Sequence, residues 1–125
     1  MKIQDVLSRT DEMKDNMMLE ATKISFINEL EGMVHAQIIM KHEHTPEQEV
    51  CPEYNDDTDR DTELLVPTRY GMMYVYYLMS KIDMMNQEED KEYNNRIRFE
   101  NLWDDYSDEY RRNHMPIGAG THYKI

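Results

Sequence analysis

The sequence has little of what breaks a helix. Four prolines and four glycines in 125 residues are about half the usual share, too few to punctuate the many turns of a sandwich or barrel. Cysteine is almost absent. Cys51 alone allows no internal disulfide and no zinc knuckle, and it agrees with a reducing, intracellular origin. No stretch of about 18 apolar residues occurs, and the opening MKIQDVLSR lacks the apolar core of a secretory signal, so neither a membrane span nor a leader is expected. Positive charge is scarce as well: 14 Lys and Arg against 26 Asp and Glu leave a net charge of -12. Such a surface repels phosphate and disfavours duplex binding by counterion release. Leu, Ile, Val and Phe make up under a fifth of the chain, a level at which strongly charged sequences tend to disorder.

Methionine and tyrosine take their place. Twelve Met, nine Tyr and one Trp must supply the packing. Met fills irregular gaps, and Tyr presents an apolar ring whose polar tip needs a partner. Both also suit protein interfaces. The chain length predicts a single domain.

Residues 3–9 place Ile3, Val6 and Leu7 on one helical face, predicting one or two turns. After the polar stretch 10–16, where Asp15 and Asn16 are N-cap candidates, residues 17–42 contain no Pro and only Gly32. A long helix is expected there. Ile24, Ile27, Leu30, Val34 and Ile38 form its core stripe, widened by Phe26, Met33 and Ile39. Residues 43–63 change character: nine acids face the single base Arg60, placing most of the net charge in one segment. Pro46 and Pro52 forbid a continuous helix, and like-charge repulsion predicts an extended acidic loop. Leu64, Leu65 and Val66, ended by Pro67, read as a short extended strut or core plug.

Residues 72–79, MMYVYYLM, are uniformly apolar, and the spacing of Tyr74, Leu78, Ile82 and Met85 predicts a helix over 69–86 with Thr68 as a cap. Being apolar nearly all round, it is expected to cover a neighbouring subunit with one face, through Met72, Tyr76 and Met79. A last helix over 89–114 carries Phe99, Trp103, Tyr106 and Tyr110 as an aromatic seam, and the short connection predicts antiparallel pairing with its predecessor. Pro116 stops it, and 117–125 reads as an arm. The predicted fold class is therefore all-α. It is a small bundle of two or three long antiparallel helices plus a short N-terminal helix. Residues 1–116 form one domain with an acidic loop and strut at 43–67, and residues 117–125 form an extended C-terminal arm.

Candidate chemistry is sparse. Asp57, Asp59, Asp61 and Glu63 resemble the start of a calcium loop, but the sixth and twelfth positions are Thr62 and Thr68 where a glycine and a bidentate glutamate are needed. His35, His42 and His44 lack the i, i+4 pairing of a metalloprotease helix and read as polar residues near a helix end. Cys51 sits between Glu49 and Glu53, which would raise its pKa and blunt it as a nucleophile. Ile117-Gly118-Ala119-Gly120-Thr121 has the glycines of a phosphate loop without its lysine. No catalytic activity, cofactor or metal is expected.

Certain words of the sequence are distinctive together. These are 61–67 (Asp-Thr-Glu-Leu-Leu-Val-Pro) with Tyr70, then Tyr74-Val75-Tyr76-Tyr77-Leu78 and Ile82-Asp83, then Tyr93-Asn94-Asn95, and finally Tyr110 with His114-Met115-Pro116. Over residues 22–116 the chain resembles small structural proteins of tailed bacteriophages. It is most similar to the head-tail connector family, also called adaptor or head-completion proteins. It departs from them in carrying Gly71, Met72 and Met73 where relatives commonly place Asp and Glu.

The resemblance implies an all-helical subunit of a homo-oligomeric ring of about twelve copies. The ring would sit in the virion neck, contacting the portal protein on one side and a downstream neck or tail protein on the other. The subunit would be made in the bacterial host cytoplasm, and genomic DNA would pass transiently through the channel. On this view the arm, through Ile117, Tyr123 and Ile125, is expected to dock on the portal. The acidic face of the last helix, Asp104, Asp105, Asp108 and Glu109, or part of the acidic loop, is expected to line the channel, where repulsion keeps DNA from sticking. A simple solvated face is the alternative for those carboxylates. Two rival readings stand beside the connector: another neck component such as a stopper or tail terminator, which would be richer in strands, and an acidic DNA mimic that inhibits a host defence enzyme. Mimicry calls for carboxylates spread along the whole surface, whereas here they concentrate in one segment.

Overall fold

The run of residues with no polar face in the sequence becomes the middle of the molecule. The computed structural model describes residues 1–118, which form four α-helices: α1 (Ile3–Met13), α2 (Glu20–Gln37), α3 (Met72–Met85) and α4 (Glu89–Asn113). Short 3-10 turns occupy Ile39–Lys41, Pro46–Glu49 and Thr68–Tyr70. The described residues contain no strand, only isolated bridges between Lys2 and Glu63 and between His42 and Pro116, so the fold is all-α.

Helix α3 contacts each of the other three helices, most extensively α4. Tyr70 meets Tyr106, Tyr77 meets Phe99, and Asp83 meets Asn95, so position rises along α3 as it falls along α4 and the two run antiparallel. On its other sides lie Ile3, Val6 and Leu7 of α1 and Ile24, Ile27, Leu30 and Val34 of α2, all buried in one core with Met73, Tyr74, Val75 and Leu78. Much of the all-round apolar surface of this helix is therefore covered within the chain itself, while Met72 and Tyr76 stay half-buried. Met79, expected at a subunit interface, is only 7% exposed and belongs to the core.

Helix boundaries shift for local reasons. Helix α1 runs past Arg9 to Met13 because Thr10 continues the buried face, its hydroxyl donating to the Val6 carbonyl at 2.7 Å. Asn16 does not cap a helix starting at 17. Its side chain accepts from Met18 N–H at 3.1 Å and donates to the Lys14 carbonyl at 2.9 Å, a local turn that delays α2 until Glu20. At the other end, α2 finishes at Gln37 and tightens into the 3-10 turn instead of continuing to His42.

The strut has a definite role. Ile3 N–H donates to Thr62 O at 3.1 Å and Gln4 N–H to Arg60 O at 2.9 Å, so residues 60–62 satisfy first-turn donors of α1 that no side chain caps. Leu64 and Val66 are buried against the helices. Gly71 lies where an added Cβ would come within 2.9 Å of Met1 Cβ, so the bare backbone lets Met1 rest against the start of α3.

Between α3 and α4 the chain turns through Gln87, whose φ of 58° is left-handed. Glu88 N–H donates to Asp83 O at 2.9 Å and Gln87 N–H to Met84 O at 3.2 Å, closing α3 in a Schellman motif that usually carries glycine at this position. Gln87→Gly is therefore expected to stabilise the protein by about 0.5–1 kcal/mol in urea unfolding. Leu78→Ala, which empties the centre of the core, is expected to cost about 2–5 kcal/mol in the same assay, against no more than about 0.5 kcal/mol for the exposed Glu100→Ala.

Candidate functional site

Two carboxylates lie fully inside the protein, and each organises the chain around it. Glu31 falls on the apolar stripe of α2, four residues from Ile27 and three from Val34, and is 0% exposed. Its Oε2 accepts from the Tyr54 hydroxyl at 2.8 Å and from Leu65 N–H at 3.0 Å, while its Oε1 accepts from the Tyr74 hydroxyl. Tyr74 in turn accepts from Val66 N–H at 3.0 Å. One turn earlier, the Asn28 amide holds the Tyr54 backbone by two bonds, to its carbonyl at 2.7 Å and from its N–H at 2.8 Å. Helix α2 thus grips residue 54 of the acidic segment and residues 65–66 of the strut.

Burial pushes the Glu31 carboxyl above the ordinary glutamate range, and the bonds from Tyr74, Leu65 and Tyr54 only partly offset it. Burial and the adjacent Glu31 likewise raise the hydroxyls of Tyr54 and Tyr74, making them poor acids. With Glu31 fully buried, the bonds it accepts tie α2 to the acidic segment, the strut and α3.

Asp83, also 0% exposed, accepts from the Asn95 amide at 2.7 Å and pairs with the Lys14 ammonium, which also pairs with Glu88. Burial alone would lower the Lys14 ammonium, but its bonds to Asp83 and Glu88 outweigh that and hold it above the ordinary lysine value. The end of α1, the end of α3 and the first turns of α4 are tied at this node. Beside it opens a polar cleft of about 510 Å³ lined by Lys14, Glu88, Lys91, Asn94, Asn95 and Arg98. Neither buried carboxylate was anticipated from sequence. Both interrupt apolar stripes, Glu31 between Ile27 and Val34 and Asp83 four residues after Met79, and Asn95 stands one helical step before the aromatic seam.

The expected surface residues are dispersed. Met72 and Tyr76 are half-buried on α3, with the Arg98 guanidinium over the Tyr76 ring. Asp104 and Asp105 are exposed on α4, whereas Asp108 pairs with Arg111, and Glu109 pairs with Arg69. The bond from Arg69 and a further one from Tyr70 hold the Glu109 carboxyl below its usual range. Ile117 is exposed, but its N–H donates to Lys41 O at 3.2 Å and Glu43 N–H donates to Met115 O at 2.8 Å, so residues 115–117 are stitched to residues 41–43 beyond α2. Tyr123 and Ile125 lie outside the described residues.

The remaining candidates are engaged in local bonding. His35 donates to Gln48 O at 2.7 Å, His42 to Ile38 O at 2.6 Å, and His44 bridges His42 O and Glu49. Asp59 accepts from Asp61 N–H at 2.9 Å, closing a turn on its own carboxylate. Among the described residues no three His, Cys, Asp or Glu side chains are grouped to hold a metal ion. Burial first, then Glu31 and Glu53, raises the Cys51 thiol, while Glu49, the neighbour expected to contribute, is turned to His44.

Comparison with protein-family models, with curated proteins and with solved structures finds no match to this chain.

Substitution at Glu31 separates its two roles. Glu31→Leu strands the Tyr54 and Tyr74 hydroxyls and Leu65 N–H, and is expected to cost about 3–5 kcal/mol by urea unfolding. Glu31→Gln keeps an acceptor but cannot ionise. Because the raised pKa means the folded state binds the proton more tightly than the unfolded chain, Glu31 contributes most below the ordinary glutamate range and less as pH rises through its folded value. Wild type should therefore lose stability relative to Glu31→Gln as pH rises from the ordinary glutamate range through the raised folded value of Glu31. A difference that does not vary with pH would contradict this assignment.

Proposed function

We propose that the chain is a structural virion protein, a head-tail connector of a tailed bacteriophage that forms a ring between the portal and the next neck or tail component. The observation that supports this reading is where the family-like words fall in the fold. Leu64 and Val66 fill the core, Val66 N–H bonds Tyr74, Asp83 holds Asn95, and Tyr110 stacks on His114 with ring centroids 3.8 Å apart. These residues pack the core, fix the strut on α3 and join α3 to α4, which is the kind of position a resemblance between structural subunits would occupy.

In this reading the four helices act as one rigid bundle, and the acidic segment 43–63 and the arm from Ile117 onward are its contact and channel elements. Met72 and Tyr76, half-buried on α3, are the subunit contacts. The exposed Asp104 and Asp105, unpaired among the described residues, face the DNA channel, where like charge keeps the passing duplex mobile. Asp108 and Glu109, each neutralised by an arginine, contribute little to that field. Ile117 together with Tyr123 and Ile125 docks on the portal.

Quantitative mass spectrometry of purified particles from the source phage or induced prophage tests the proposal. About twelve copies per particle, equal to the portal, are expected for a neck ring. Absence from particles despite expression during infection would overturn the connector reading in favour of an acidic inhibitor.

A further inference from the structure

Five of the nine exposed large apolar side chains among the described residues lie at one end of the fold. Met13, Met17 and Leu19 of the α1–α2 connection and Met84 and Met85 at the end of α3 all face solvent, Met17 being 99% exposed. Packing of α1 and α2 on α3 brings the two segments together. Met17 and Met18 line a groove with Ile82, Met85 and Asn86. Asn86 also borders the cleft that holds Met13, and across the turn at 86–88 the adjoining cleft holds Met84. The result is a continuous ledge of thioethers, with the half-buried Met18 at its root.

Its rim is acidic. Residues 11–20 and 83–92 carry eight Asp and Glu besides the buried Asp83, against Lys14, Lys91 and the Arg98 that also lines the cleft holding Met13. Lys14 is already committed to Asp83 and Glu88, and Lys91 lies 3.5 Å from Glu88. Lys23, Arg60 and Arg96 occupy Asp11, Glu20 and Glu92. Glu12, Asp15, Glu89 and Asp90 stand exposed, with no cation at ion-pair distance among the described residues.

We propose that this methionine ledge docks a basic amphipathic helix of a partner protein. Unbranched, polarizable methionines accommodate apolar side chains of differing shape without a fixed complementary surface, which suits a helix laid into a groove. The free carboxylates on both sides select Lys and Arg flanking that apolar face, and they reject acidic segments and anionic membranes alike. A second copy of this chain is a poor fit, because its own ledge carries the same negative rim. The proposal concerns this surface alone and does not depend on the connector reading.

Fluorescence anisotropy tests it with a labelled amphipathic helical peptide of leucine and lysine as probe and its leucine–glutamate counterpart as control. The intact chain is expected to bind the lysine peptide, more weakly as salt rises, and to ignore the glutamate peptide. Met17→Ser, Met84→Ser and Met85→Ser together should weaken binding about tenfold or more with an unchanged helical circular-dichroism spectrum, since all three side chains are exposed. Asp15→Asn with Glu89→Gln should weaken it severalfold and flatten the salt dependence. Undiminished binding by the serine variant would reduce the interaction to bulk charge and overturn the proposal. Equal binding of the glutamate peptide would overturn it too, as would concentration-dependent self-association in light scattering that the serine variant abolishes.

Discussion

A carboxylate with no access to water sits at the centre of this protein, and much of the chain is arranged to keep it there. An ionised glutamate moved into an apolar interior loses several kcal/mol of hydration, which only well-placed donors can return. The donors at Glu31 come from Tyr54, Leu65 and Tyr74, segments 23, 34 and 43 residues away in sequence. Satisfying one side chain therefore fixes the acidic segment, the strut and the central helix relative to α2 at once. That coupling matters because residues 43–63 carry little apolar surface and much mutual repulsion. Tyr54 is the buried hydrophobic residue that segment contributes to the core, and it is held at the ring by packing, at the hydroxyl by Glu31 and at the backbone by Asn28.

The same logic explains how a chain poor in branched aliphatics is ordered. Tyrosine brings large buried area but also a hydroxyl that must be bonded, so a tyrosine-rich core needs acceptors inside it. Glu31 serves Tyr54 and Tyr74, and Glu29 serves Tyr77 from the rim of α2. Where no acceptor is provided, as at the Tyr110 hydroxyl, the ring is stacked on His114 and edge-on to His42, so packing compensates for the missing bond.

Periodicity made the helices legible, and with them the aromatic seam and the core stripe of α2. What it could not show was who covers whom. An apolar girdle on α3 is equally the mark of an interface helix and of a central helix. Only the packing of α1, α2 and α4 around it shows that most of that girdle is covered within the chain. The hub was illegible for a related reason. A lone Glu inside an apolar stripe signals something unusual, but its partners are non-local, and no local pattern pairs position 31 with 54, 65 and 74. Asn16 misled in the opposite direction, its side chain serving a turn where a cap was expected.

Charge then sorts the surface into two kinds of region. Several basic residues are matched with carboxylates, as with Lys23 and Asp11, Arg60 and Glu20, Arg69 and Glu109, or Arg111 and Asp108, which neutralises charge locally at those pairs. The residual negative potential belongs to the carboxylates left over, on the mid-face of α4 at Asp104 and Asp105, along 43–63, and around the exposed methionines at the 86–88 turn. The last combines free carboxylates with five exposed apolar side chains, whereas 43–63 exposes Val50 alone. Carboxylates alone repel nucleic acid without recognising anything, whereas carboxylates framing an apolar ledge discriminate among partners by both area and sign. With the carboxylates of Glu31 and Asp83 committed inside, exposed apolar groups and free carboxylates come together where the ends of α1 and α3 meet the start of α4.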